Sequence, residues 1–343
     1  MRVKNVVELV ERTQQEFARL PYETNQERLV EDIGKHLHAL KEAMFGEDGE
    51  PSVPNKDAAL QIATAACRTD LVSDMVNCVG VLEFEARKDL VAVFDAIVRV
   101  DGPGGAKPGC EYVLEHQDVL SALFDGYDDP EVALPCGRMF RECVRDESIA
   151  RLVLESTLFD ELFEKLDVPS FEVASDAFST FKDLLTRHKA LVAGFLSANY
   201  DAFFAAYGKI LGSPNYVTRR QSLRLLGELL LDRSNVKVMV QYVADPANLV
   251  LMMNLLKDPS RSIQFEAFHV FKVFVANPNK TPPIVEILAN NRDKLLKYLA
   301  DFHEDRDDEQ FKEERDVIIK EIALLPAPTK TTETTQRTTD EQH

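Results

Sequence analysis

No stretch of this chain approaches the ~18 consecutive apolar residues that a membrane-spanning helix needs, so no membrane association is expected. Met1-Arg2-Val3-Lys4-Asn5 leads into a charged amphipathic pattern, with neither an apolar signal core nor a small-residue cleavage site. Cysteines are few and odd in number: Cys67, Cys78, Cys110, Cys136 and Cys143, with no CxxC spacing. That pattern argues against a disulfide framework or a cysteine-only zinc site, and for the reduced thiols of a cytoplasmic protein. Long alternating strands bounded by Gly-rich turns are missing too. Cations are the minority: 40 Lys and Arg face 58 Asp and Glu among 343 residues, a net charge of −18. A pI near 4.9 argues against a general nucleic-acid binder.

Catalytic and metal signatures are equally scarce. Gly102-Pro-Gly-Gly-Ala-Lys107 lacks the phosphate-loop spacing and has Pro108 where Ser or Thr belongs. Glu266 and His269 form one ExxH pair, whereas a di-iron bundle needs two and further carboxylates. His36 and His38 lie on opposite faces of a helix. Asp301, His303, Asp305 and Asp307 alternate like a calcium loop, but Arg306 stands where the loop needs Gly and Lys312 where it needs Glu. No GxSxG, HExxH or kinase set occurs, so neither an enzyme nor a cofactor is expected.

What the chain does have is helical periodicity. Leu29, Ile33, Leu37, Leu40 and Met44 step along one helix face. The pairs Asp129-Pro130, Asp245-Pro246 and Asp258-Pro259 read as helix starts, with Asp capping and Pro at the first helical position. At 45% hydrophobic residues, the chain can fill a substantial core.

The helices also repeat. The segments beginning at Phe171, Tyr216 and Arg261 align without gaps at two offsets of 45 residues. Small residues coincide at Ala177, Ser222 and Ala267. Apolar residues coincide at Phe178, Leu223 and Phe268, then at Phe181, Leu226 and Phe271, then at Leu184, Leu229 and Phe274. Phe94 and Phe140 extend the series backwards less regularly. A period of ~40–47 residues is that of HEAT and armadillo units, which stack because one unit cannot bury its apolar face alone. The expectation is an all-α helical-repeat solenoid in a single domain over 1–325, with exposed connections at 46–55 and 101–109. A Thr-rich disordered tail is expected over 326–343.

Equivalent positions of successive repeats line up along one surface. Outside the core register this gives the rows Phe171/Tyr216/Arg261, Ser175/Arg220/Phe265 and Ser179/Arg224/His269. Tyr216, Arg220 and Arg224 follow one helix face at i, i+4, i+8. They lie in the one net-basic segment: residues 201–300 carry +5, against −16 for 1–200 and −7 for 301–343. Aromatics and Arg on one exposed face are typical of protein-binding hot spots. The competing reading has Phe171 and Tyr216 buried between repeats and the arginines merely solvated.

Several long motifs carry a resemblance. Asn215 through Arg233, Leu251-Met-Met-Asn-Leu-Leu256, Ile263 through Lys280, Asp308-Glu-Gln-Phe311, Ala174-Ser-Asp-Ala-Phe178 and Thr180 through Lys189 closely resemble the calcium-binding protein 39, or Mo-twenty-five-like, family. The resemblance runs over about residues 5–325. It implies a right-handed, horseshoe-shaped, non-catalytic scaffold that binds a pseudokinase adaptor and kinases of the liver-kinase-B and germinal-centre (sterile-twenty) classes, holding them active in signalling and cell polarity. It further implies concave-face contacts at Phe171, Tyr216, Arg220, Arg224 and Met253, with Arg233 facing the kinase activation segment. Calcium binding is not expected, because the loop is absent. Against the family pattern, Val236 replaces an aromatic, and Val250 and Asn290 replace basic residues of a tail-peptide pocket. Lys257 or Lys294 is the substitute carboxylate partner there. The alternative function is a helical-repeat adaptor for non-kinase cargo of transport or phosphatase-regulatory type.

Overall fold

The computed structural model describes residues 6–24, 26–46 and 54–326, so the expected tail beyond Pro326 and most of the 46–55 connection lie outside the described residues. The described residues form α-helices joined by short turns and 3-10 segments, with no strand. Two compact units divide the chain, residues 1–218 and 219–343.

Seven helices recur through the chain and set the repeat. They are α1 (Gln26–Phe45), α2 (Phe84–Arg99), α3 (Ala133–Cys143), α4 (Phe171–Thr186), α5 (Tyr216–Leu231), α6 (Arg261–Ala276) and α7 (Glu309–Ala323). In the first unit α1 packs on α2, α2 on α3 and α3 on α4; in the second α6 packs on α7. The unit boundary falls inside α5.

Helices α4, α5 and α6 are each 16 residues long and begin at Phe171, Tyr216 and Arg261, the residues from which the 45-residue alignment runs. Polar residues cap each start: Ser170 Oγ accepts from Val173 N, Asn215 Oδ1 from Val217 N, and Ser260 Oγ from Ile263 N. Every aligned core position from Ala177 to Phe274 is buried, as are Phe94 and Phe140.

Of the three Asp-Pro pairs only Asp245-Pro246 starts a helix; Asp245 accepts from Ala247 N at 2.8 Å. Asp129 and Asp258 lie four and three residues ahead of the first helical residue and instead accept from Glu131 N and Ser260 N, closing turns. A short Asp side chain reaches its own backbone two residues on as readily as it caps. Gly109, placed by the sequence in an exposed connection, sits inside a helix with its α-carbon against Ile97; a Cβ there would lie 2.4 Å from the Ile97 carbonyl oxygen.

Charge pairs stitch these helices together. Lys41 and His38 of α1 meet Asp89 of α2; Arg99 and Asp95 of α2 meet Glu142 and Arg138 of α3; Arg141 of α3 meets Asp176 of α4. In the second unit Lys272 of α6 meets Glu314 of α7. Asp95 is the costly member. Burial pushes its carboxyl up to about 6; Arg138 pulls it down, Glu142 pushes it further up, and Oδ1 has no hydrogen-bond partner among the described residues. Because the folded value is raised, the native state holds a proton that the unfolded chain releases, so stability from this group falls as pH rises through 4 to 6. At pH 7 the cost is at most about 3 kcal/mol. Asp95→Asn is therefore expected to gain stability over wild type at pH 7 and none at pH 3.5, in thermal melts across pH. A constant difference would show that the carboxyl titrates normally.

Candidate functional site

In the first unit, the side chains singled out for binding are exposed. Phe171 stands at the first turn of α4 with 61% of its surface open to solvent, and Tyr216 at the start of α5 with 41%. Two large aromatics so exposed overturn the reading that buries them between repeats. The cause is the register: each begins its helix one residue after the cap, where the first turn projects beyond the apolar stripe that starts at Val173 and Thr218.

In the second unit, α5 contributes Arg220 and Arg224. Arg224 is well exposed, with Nε 3.7 Å from a carboxylate oxygen of Glu228 one turn further along. Arg220 is exposed as well, with Nε 3.7 Å from a carboxylate oxygen of the buried Glu266 on α6. Burial raises the Glu266 carboxyl above its usual range, and Arg220, Arg224 and Arg306 act against that rise. Arg220 therefore has two jobs, facing solvent and compensating a buried acid. Sequence reasoning saw only the first.

A cleft of about 290 Å³ opens beside this pair, walled by Arg220, Arg261, Phe265, Glu266, Asp305 and Arg306. Arg261 and Phe265 are the third-repeat positions of the two aligned rows. His269, from the remaining row, stands edge-on to Phe265 at 4.5 Å, its pKa lowered by burial and by Lys272. Arg233 is exposed in the short turn Arg233–Asn235 and has no ion-pair partner among the described residues; Met253 is half-exposed on the helix Pro246–Leu255. Near them in sequence, Val236, Val240 and Val250 are exposed.

Two further features escaped the sequence reading. An apolar groove of about 590 Å³ is lined by Leu231, Met239, Val273, Ala276, Val317 and Ile318, with Leu231 more than half exposed at the end of α5. The signal was Leu231 itself, which follows the buried pair Leu229 and Leu230 and so falls outside the core register. A second cleft, of about 710 Å³, gathers Lys294 and Lys297 with Arg261, Tyr298 and Phe302. Lys294 thus lies in a cationic, aromatic-floored hollow, while Lys257 is simply exposed.

No group of three or more His, Cys, Asp or Glu among the described residues is placed to hold a metal ion, and no described helix is long and apolar enough to cross a membrane. Stacked helical units presenting exposed aromatic and guanidinium side chains define a helical-repeat scaffold. A Mo25-like family model matches residues 1–326, and the chain belongs to that family. It is 65% identical to the degreening-related gene dee76 protein of Auxenochlorella protothecoides, over 91% of this chain and 97% of that one. It is also 46% identical to a calcium-binding protein 39-like protein of Homo sapiens, over 94% and 95% of the two chains. MO25-like protein 2 of Caenorhabditis elegans is 47% identical over 87% and 88%.

Proposed function

We propose that this scaffold is non-catalytic and cytoplasmic, and that it binds a pseudokinase adaptor and kinases of the liver-kinase-B and germinal-centre classes, stabilising their active conformations. The observation that carries the reading is the exposure of Phe171 and Tyr216 in one unit and of Arg220 and Arg224 in the other. Arg233 and Met253 complete the proposed contacts. The groove beginning at Leu231 takes an apolar side chain from the partner segment that Arg233 meets.

Activation needs no chemistry from the scaffold. It requires only that the active kinase conformation binds better than the inactive one; ~1.4 kcal/mol of preference shifts the populations tenfold. A few aromatic and Arg contacts supply that much.

The test is a titration of kinase catalytic domain and pseudokinase against wild type and arginine variants. Arg224→Ala is expected to weaken binding while melting like wild type, since its side chain is two-thirds exposed and its ion pair with Glu228 is a wet one. Arg220→Ala is expected to cost ~2 kcal/mol of affinity, roughly thirtyfold, and Arg220→Glu more. Arg220→Ala should also lower the melting temperature at neutral pH, because Glu266 loses its nearest cation. The sign follows from the raised carboxyl: the penalty grows as pH rises through the folded pKa and disappears at acid pH. The double variant Arg220→Ala, Glu266→Gln separates the two jobs, recovering the melt and not the affinity. Equal affinities for all variants would remove these arginines from the function.

A further inference from the structure

The connection into α7 is longer than its counterparts. Four or five residues enter α4, α5 and α6, whereas residues 301–308 enter α7. The ends of this longer connection are fixed. His303, buried and with a left-handed φ of 52°, turns the chain back and sets Nε2 3.2 Å from Gln264 Oε1 of α6. At the other end Asp308 caps α7, accepting from Phe311 N at 3.1 Å.

Between those anchors the chain lies over the third-repeat positions of the candidate face. Asp305 receives both terminal nitrogens of Arg261, with Nη1 to Oδ2 at 2.8 Å. The Arg306 guanidinium lies 3.8 Å from the centre of the Phe265 ring. Arg261 and Phe265 correspond to Tyr216 and Arg220 in the 45-residue alignment, and in this repeat both positions are contacted by the connecting chain itself, Arg261 by Asp305 and Phe265 by Arg306. A fold-stabilising role explains this poorly. Arg261 and Asp305 keep 60% and 67% of their side-chain surface exposed, and ion pairs so wet contribute little to stability. What the bidentate geometry does is satisfy a guanidinium with a carboxylate, the ligand such a group selects.

We propose that residues 301–308 form an acidic latch on the second unit. Asp305 stands in for a carboxylate of the binding partner at Arg261, and Arg306 shields the Phe265 ring. A partner segment bearing a carboxylate displaces both to reach this rung. The latch rests on the partner-binding reading, and it adds an internal competitor to it. Because the pair is exposed, the competition is mild and the latch opens readily.

The experiment uses the full chain with Asp305→Asn, which keeps the shape and removes the charge, and with Asp305→Asn, Arg261→Gln. Two probes are titrated: a germinal-centre-class kinase catalytic domain and a hexaglutamate peptide. Asp305→Asn is expected to bind each about threefold to fivefold tighter than wild type, the range an exposed ion pair allows. The double variant should lose that gain. Hydrogen exchange of the amides at 304–307 should rise in Asp305→Asn without a change in melting temperature. If Asp305→Asn binds both probes as wild type does, or more weakly, the latch is overturned. If hexaglutamate shows the gain and the kinase binds no form of the protein, the latch stands and the kinase reading falls. A lower melting temperature for Asp305→Asn with unchanged binding would make the contact structural and also overturn the latch.

Discussion

Phe271→Ala is expected to destabilise the second unit by about 3–5 kcal/mol, the cost of deleting a phenyl ring from a filled core. Phe271 has no solvent exposure, and neither do Phe268 and Phe274, its neighbours along the apolar face of α6. Aromatics crowd the same side: Phe268 lies 5.5 Å from Phe302 and 5.2 Å from Phe311, ring to ring, and Phe274 lies 6.0 Å from Tyr242. Rings supported from several helices cannot collapse into a vacated volume, so most of the cavity persists. Since a domain's whole stability is about 5–15 kcal/mol, this one change removes a large share of it. Urea denaturation would show the loss as a lower midpoint at unchanged slope. Phe265→Ala is the matched control. Its ring is half-exposed and partly covered by Arg306, so it should cost far less. If Phe271→Ala unfolds at the wild-type midpoint, the core and surface faces of α6 have been exchanged.

That face was legible in the sequence because a buried position tolerates few residue types. Ala177, Ser222 and Ala267 mark close helix contact, and the large apolar residues that follow recur at 45-residue offsets because stacked units repeat the same burial. The exposed rungs were legible for the complementary reason. Phe171 and Tyr216 start their helices where the repeat has already assigned the core to other positions.

The charge pairs were not legible. Their members lie 35 to 51 residues apart, an irregular spacing, and Asp, Glu, Lys and Arg are so common on solvated faces that no one of them stands out. Asp176 is an ion-pair partner almost nine-tenths hidden from water, and only the packing of α4 on α3 reveals it. The latch was hidden differently. Asp301 to Asp307 drew attention as a failed calcium loop, yet the use of Asp305 depends on Arg261, 44 residues away.

Asp176→Ala is expected to cost about 3–5 kcal/mol, comparable to Phe271→Ala but for the opposite physical reason. The Asp176 carboxylate takes Nη1 and Nη2 of Arg141, each at 2.7 Å, and also accepts from the Tyr127 hydroxyl at 3.1 Å. Thr180 Oγ1 closes the cluster, 2.8 Å from Tyr127 and 3.1 Å from Arg141. Arg141 and Asp176 expose only 21% and 13% of their side chains. Removing the acid alone strands a guanidinium out of water, and that uncompensated charge supplies the penalty rather than any large net worth of the pair. Arg141→Met combined with Asp176→Ala should therefore recover most of the loss, as an apolar chain needs no counter-charge. Gly137 adds a steric test of the same cluster. A Cβ on Gly137 would sit 2.0 Å from Asp176 Oδ2 and 2.6 Å from the Tyr127 hydroxyl. Gly137→Ala must push the carboxylate away from Arg141, and should cost nearly as much as Asp176→Ala. With the carboxylate already gone, the added methyl meets only the tyrosine, so the two losses should fall well short of additive. Denaturation of the four forms of that cycle measures the coupling. Additive losses would mean that Gly137 acts elsewhere, and a cost below ~1 kcal/mol for Asp176→Ala would mean that water reaches Arg141 and the pair seals nothing between α3 and α4.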